Sequence, residues 1–295
     1  MFDKTKSTII TYPGGKSGEY TIPNSVNTIG GNAFRSCEGL TSVIISDSVT
    51  TIGEDAFGEC TGLTSVTIPD FVSFIGDCAF GGCYGLTSVS IGHSVTTIGD
   101  QAFYGCNITS ITIPNSVITI GAEAFSYCYG LTTVTIPDSV TSIGDGAFMS
   151  CIGLTSVTIG SSVSAIGYCA FANCEKISKV FVYAVEPPTP TASENTIYDD
   201  TSYIRVFSSA TYDSAVLAVP AKSLELYKSA ADWKDFTHIT AVSESAAGTG
   251  VEGVVNDNTI EVCRYNTSGQ RVSEDYKGIV VIRYNDGSVK KQIAK

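Results

Sequence analysis

Positive charge is what this chain lacks over most of its length. Between Asn24 and Cys174 it carries eleven acidic residues and one basic residue, Arg35. The net charge of -12 follows largely from that stretch. Nucleic-acid binding draws its affinity from clustered lysine and arginine, so the long middle region offers no seat for a polyanion. Histidine is scarce as well. His93 and His238 lie in unrelated segments and no CxxC pair occurs, so zinc-ligand spacing is missing and no metal site is expected. Uninterrupted apolar runs stop well short of the ~18 residues that a membrane-spanning helix needs, which excludes a helical span. The opening "MFDKTKSTIITYPGGKSG" has no apolar core of the secretory type, so an exported protein would have lost its leader before this chain begins. "GGKS" at Gly14–Ser17 resembles the end of a phosphate loop. Ile10 stands where that loop needs glycine and the strand-like "YTIP" follows, so no nucleotide or other cofactor is expected.

What the chain has in abundance is repetition. Phe34, Phe57, Phe80, Phe103, Phe125, Phe148 and Phe171 recur at intervals of 23, 23, 23, 22, 23 and 23 residues. The short interval arises after Cys106, where "CNI" replaces "CxGL", and is expected to fall in a turn. A fixed period of this size marks a solenoid, in which each unit buries its apolar face against its neighbours. Within a unit, "LTSVTI" (Leu63–Ile68) alternates Val66 and Ile68 with Ser65 and Thr67, the pattern of a half-buried strand, and stacked copies would form a parallel sheet. The strand ends at Pro, Ser or Gly (Pro23, Ser46, Pro69, Gly92, Pro114, Pro137, Gly160). The segment "SVTxIG" turns inward again, and its glycine is expected to supply the backbone conformation of the corner. "DxAFxxC" places Ala, Phe and Cys at helical spacing, so a short helical turn is expected there, capped by Asp77, Asp100 or Asp145. Seven coils at ~4.8 Å give a stack on the order of 35–40 Å long.

Seven of the ten cysteines (Cys37, Cys60, Cys83, Cys106, Cys128, Cys151, Cys174) share one repeat position, which predicts an inward ladder of small apolar side chains rather than disulfides. Cys78 and Cys169 lie four coils apart, roughly 19 Å, too far to bridge. The acidic ladder Asp55, Asp77, Asp100, Glu123 and Asp145 reads as capping, and the outward Ser and Thr rows as ordinary strand preference, although such a sheet also suits glycan or strand contact.

The pattern "GLTSVTIPxSVTxIGxxAFxxC" resembles the BspA-like leucine-rich repeats of bacterial surface proteins and of some parasitic protozoa. The resemblance implies a leucine-rich-repeat solenoid, a right-handed β-rich α/β superhelix with stacked parallel strands and short helical turns. In this reading residues 1–23 form an opening cap, 24–182 the seven repeats, 183–242 a terminal coil and cap, 243–258 a linker and 259–295 a small β module. "VYAVEPPTP" and "LAVPAKSLELYKSAADWKDFTHITAV" are similar to the family's terminal coil, and the helical spacing of Leu224, Tyr227 and Ala231 agrees. In the last segment "IEVCRYNTSGQRV" and "GIVVIRYNDGSVKKQIAK" alternate apolar and polar residues, with a tight-turn signal at Asn285–Gly287, which predicts an antiparallel sheet. This tail resembles C-terminal segments of exported Bacteroidetes proteins, including sorting domains of type IX secretion; sorting, anchoring and capping stay open as its roles.

The variable positions around the repeat cysteine carry bulky residues only in the middle and later coils: Tyr84, Tyr104, Tyr127, Tyr129, Met149 and Ile152. They are expected to be exposed and to form one contiguous patch. Aromatic residues with little charge suit a protein interface or sugar stacking, so these six are the candidate partner-binding residues. No nucleophile with a base and no paired carboxylates emerge, so no catalytic residue is expected. By resemblance the protein would be a non-enzymatic scaffold, extracellular or on the outer cell surface, binding host extracellular-matrix proteins, other bacteria or glycans. The rivals are a structural spacer and an accessory protein of glycan capture with a site near "YDDTSYIRV". Oligomeric state stays open.

Overall fold

In a computed structural model of the chain, residues 1–191 and 205–242 are described in full, together with the backbone of strands Glu261–Asn266, Gly278–Tyr284 and Val289–Ala294. Tyr198–Ile204 of the acidic-aromatic cluster, the 243–258 linker and the turn at Asn285–Gly287 lie outside the described residues. The chain divides into two units, Met1–Ala241 and Val242–Lys295.

The first unit is a solenoid of parallel strands. One sheet runs its whole length with nine short strands, from Thr8–Ile9 and Thr28–Ile29 through Thr51–Ile52, Phe74–Ile75, Thr97–Ile98, Thr119–Ile120, Ser142–Ile143 and Ala165–Gly167 to Thr189–Thr191. Equivalent residues pair, Thr51 with Phe74 and Ile52 with Ile75, so the register is that of the 23-residue frame. The second face is built by the "LTSVTI" segments. Val66 and Ile68 point into the core, and Ser65 and Thr67 point to solvent.

This second face is two sheets rather than the single one expected. Gly18–Thr21, Leu40–Ile44, Ser65–Thr67 and Ser88–Ser90 form the first; Thr133–Ile136, Ser156–Ile159, Lys179–Val182, Val216–Pro220 and His238–Val242 form the second. Between them, the fifth coil is reduced to an isolated bridge from Ser88 to Ser110. The residue missing after Cys106 falls in the connection just before this bridge, where Asn107 alone replaces the two-residue turn of the other coils.

The "DxAFxxC" segment is not the helical turn the spacing predicted. In every coil the residues two before and two after the phenylalanine have left-handed backbone, as at Asp55 (φ 54) and Glu59 (φ 60) about Phe57, and only Gly82, Gly105 and Gly146 among these fourteen positions are glycine. Alternate amides then face different partners. Ala56, Gly58 and Cys60 close local turns onto Gly53, Asp55 and Phe57, while Asp55, Phe57 and Glu59 donate to Asp77, Ala79 and Gly81 of the next coil at 2.7–2.8 Å. A helix directs all its amides along its own axis; here half of them stitch coil to coil. The capping role of the aspartates changes accordingly. Asp77 accepts the Asp100 amide at 2.9 Å, Asp100 the Ala122 amide at 2.7 Å and Asp145 the Tyr168 amide at 2.9 Å, each from the following coil. Asp55 instead pairs with Arg35, and Glu123 accepts from Gln101.

The corner glycines also act differently from expectation. Gly53, Gly76, Gly99, Gly121, Gly144 and Gly167 have ordinary φ values, but a Cβ at each would lie 2.2–2.8 Å from an atom of the preceding coil. They are glycine because the coils touch there, backbone on backbone.

Inside, the phenylalanines stack with ring centroids 4.7–5.4 Å apart and planes within 13° from Phe34 to Phe171. Tyr12 and Tyr20 close the stack at Phe34. At the other end Phe207 continues it at 5.1 Å and is ringed by Tyr212, Trp233 and Phe236. The terminal helix spans Leu224–Ser229 and buries Tyr227, whose hydroxyl donates to the Ala184 carbonyl at 2.8 Å. Ala231 lies beyond that helix and is exposed; Trp233 takes the inward place, its Nε1 donating to Pro188 at 2.8 Å.

The second unit contains a three-stranded antiparallel sheet, Glu261–Asn266 with Gly278–Tyr284 with Val289–Ala294.

Candidate functional site

The six candidate residues lie on adjacent turns because the frame brings their columns together. Tyr84, Tyr129 and Ile152 share one column, four residues after their phenylalanine; Tyr104 and Met149 occupy the first position after it and Tyr127 the second. The Tyr127 amide donates to the Met149 carbonyl at 2.8 Å, so these two coils are stitched at the patch itself. Tyr104 meets Tyr127 edge to face at 5.3 Å, and Tyr127 meets Tyr129 at 6.0 Å with planes 89° apart. Tyr84 leans onto Gly105, where a Cβ would come within 3.1 Å of its ring. The result is a ridge of tyrosines crossing the third to fifth coils.

Exposure divides the six. Tyr84 (63%), Tyr129 (53%) and Ile152 (49%) are exposed, whereas Tyr104, Tyr127 and Met149 are half-buried by their neighbours, against the expectation that all would be exposed. Such edge-to-face contacts hold the half-buried rings in place. Burial raises the Tyr104 phenol, and Tyr127, Glu123, Tyr84 and Tyr129 add to the rise, so these groups converge on one spot.

Behind the ridge stands the cysteine ladder. The seven repeat cysteines are buried free thiols. Cys60, Cys83, Cys106, Cys128, Cys151 and Cys174 each donate to the carbonyl of the preceding coil's phenylalanine at 3.1–3.4 Å. Burial pushes the Cys37 thiol up to about 11 and the Cys128 thiol up to about 12. A thiolate is the reactive form, so at pH 8 these two thiols should stay unmodified by a disulfide reagent in the folded protein and react within minutes in denaturant, as read by mass spectrometry of labelled peptides. Modification of Cys128 in the folded state would show that the ladder opens. Among the described residues no group of three or more His, Cys, Asp or Glu is placed to hold a metal ion.

Three further exposed apolar residues escaped the sequence reading. Phe74 (40%) lies in the nine-stranded sheet, Phe71 (64%) in the turn before it and Ile118 (48%) just before the strand Thr119–Ile120, at positions where neighbouring coils carry Ser or Thr. The signal was available: in the outward columns these are the departures from small hydroxyl residues.

The frame described above is matched by a family model, the BspA type leucine-rich repeat region, in six copies over residues 14–131 and 119–187. The chain belongs to the BspA-type leucine-rich repeat family. Several solved structures similar to this BspA-type chain are leucine-rich proteins. The T. pallidum leucine-rich repeat protein is 28% identical over 62% of this chain and 82% of its own, with a TM-score of 0.48. A leucine-rich repeat protein of Eubacterium ventriosum is 26% identical over 60% of this chain and 42% of its own, with a TM-score of 0.44. A leucine-rich cell surface protein of Faecalibacterium prausnitzii is 22% identical over 79% of this chain and 83% of its own, with a TM-score of 0.33. No curated protein matches the BspA-type chain.

Proposed function

We propose that this BspA-type chain is a non-enzymatic binding scaffold, exported or displayed on the cell surface, and that the tyrosine ridge is the face that meets a protein or glycan ligand. The observation that carries this reading is the ring-to-ring continuity of Tyr104, Tyr127 and Tyr129 beside the exposed Tyr84. Tyrosine concentrates at the energetic centres of interfaces because a large, stiff ring gives contact area at small entropic cost. Here the rings are also fixed to a frame whose coils are hydrogen-bonded to one another, so little ordering remains for the moment of binding. The family's surface proteins are the ground for placing it outside the cell.

The test is a binding screen of the full chain against immobilised fibronectin, fibrinogen and collagen and against a glycan array. A second chain carries Tyr84, Tyr104, Tyr127 and Tyr129 changed to Ser, with folding checked by circular dichroism. Loss of binding by about tenfold or more in the variant is expected, as for removal of several interface anchors. Equal binding by both chains would move the contact face elsewhere, and binding by neither would leave the spacer reading.

A further inference from the structure

The first coil shows how this frame holds a cation. Arg35, one residue after Phe34, reaches across to the second coil, its Nη1 2.9 Å from Asp55 and its Nη2 3.0 Å from Glu59. Asp55 stands two residues before Phe57 and Glu59 two residues after it. Ser36 and Arg35 hold the Glu59 carboxyl below the usual range, and Glu59 with Asp55 raises the guanidinium.

The fourth and fifth coils repeat this triangle with other residues. Tyr104 stands where Arg35 does, Glu123 where Asp55 does and Tyr127 where Glu59 does. The carboxylate is retained while the arginine is replaced by an aromatic ring. No lysine or arginine occurs between Ser36 and Glu175, so these coils bring Glu123 no cation of their own. Its oxygen accepts an amide hydrogen from Gln101 Nε2 at 3.0 Å instead. Ring faces and a carboxylate at one spot are the groups that attract a guanidinium or an ammonium.

We propose that Glu123, Tyr104 and Tyr127 receive an arginine or lysine side chain from a basic segment of a partner protein, which fills from outside the place that Arg35 fills from within. This deepens the preceding reading and rests on it. Charge complementarity selects the partner. Eleven acidic residues and one arginine lie between Asn24 and Cys174, and that arginine is already paired with two of them. The repeat region therefore draws in a basic polypeptide, whereas a neutral glycan gains nothing from this field.

Fluorescence anisotropy with a labelled decapeptide of alternating Arg and Gly, titrated with the full chain at about 0.15 M salt, tests the proposal. An Asp-Gly decapeptide and maltohexaose serve as the acidic and neutral probes. The Arg-Gly peptide is expected to bind and the other two are not. Glu123→Gln, which keeps the side chain's shape, is expected to weaken binding about fivefold. Tyr104→Arg places an arginine where Arg35 stands, beside Glu123 and Tyr127, and occupies the site internally, so about tenfold weakening is expected. Ser65→Arg adds the same charge on the outward face of a distant strand and is expected to weaken binding less than about twofold.

Equal weakening by Ser65→Arg and Tyr104→Arg would reduce the effect to diffuse attraction and overturn the site. No effect of Glu123→Gln, failure of the peptide to bind, or equal binding of maltohexaose would also overturn it. The two readings separate cleanly. If the four-tyrosine variant loses a ligand found in the screen while the peptide is indifferent to Glu123→Gln, the ridge stands and the cation site falls.

Discussion

A Phe103→Ala chain is expected to lose about 3–5 kcal/mol of stability, the range for removing a fully buried phenylalanine. The size follows from what surrounds the ring. Phe80 and Phe125 lie 5.4 Å and 5.3 Å away on either side, nearly parallel to it. Neither ring can slide into the space, because each sits in a turn whose amides are bonded to the next coil. The cavity therefore stays open and the transfer and void costs add. Because a solenoid's stability is a sum over coils and their interfaces, hydrogen exchange should locate the lost protection in the third to fifth coils before the ends open. A loss under about 1 kcal/mol in urea unfolding would show that the stack closes up and that the rings are not the element that fixes coil spacing.

A Gly167→Ala chain is expected to lose about 3 kcal/mol, the upper part of the range for overpacking. Its Cβ would lie 2.2 Å from the Asp145 amide nitrogen and 2.4 Å from both Asp145 Oδ1 and the Gly144 carbonyl carbon. Two of these three are backbone atoms, which cannot step aside as a flexible side chain would. Parting the coils there also stretches the hydrogen bond from the Tyr168 amide to Asp145. Gly15→Ala is the control: nothing lies within 4 Å of its Cβ, and a change within about 0.5 kcal/mol is expected. Comparable melting temperatures for the two variants would mean that the coils are more loosely stacked than the geometry shows.

The sequence carried the frame because every unit states it again. The inward Val66 and Ile68, the outward Ser65 and Thr67 and the cysteine ladder are properties of single positions, and repetition makes each unambiguous. What one unit cannot state is what it owes to the next. Ala, Phe and Cys in "DxAFxxC" have helical spacing, but the amides of Asp55, Phe57 and Glu59 go to another coil, a nonlocal fact absent from the local pattern. The corner glycines misled for the same reason, since the obstacle at Gly167 is the backbone of Asp145 rather than its own φ. The candidate ridge was legible as a list of departures from the consensus. Its order, with Tyr104 against Tyr127 and Tyr127 against Tyr129, needed the register of adjacent coils. The missing residue after Cys106 was visible in the sequence, but that the strand after it is reduced to a single bridge was not.

The forward stitching in the phenylalanine turn gives the two ends of the stack opposite needs. The first coil must be met by a donor, which the Tyr12 amide supplies to the Ala33 carbonyl; the last must be met by acceptors, which Arg205 and Val206 supply to the amides of Cys169 and Phe171. Every cut between whole 23-residue units exposes this same pair of surfaces. Unequal crossing-over between units of the coding sequence would then lengthen or shorten the protein one coil at a time, with both caps still meeting the partners they meet now.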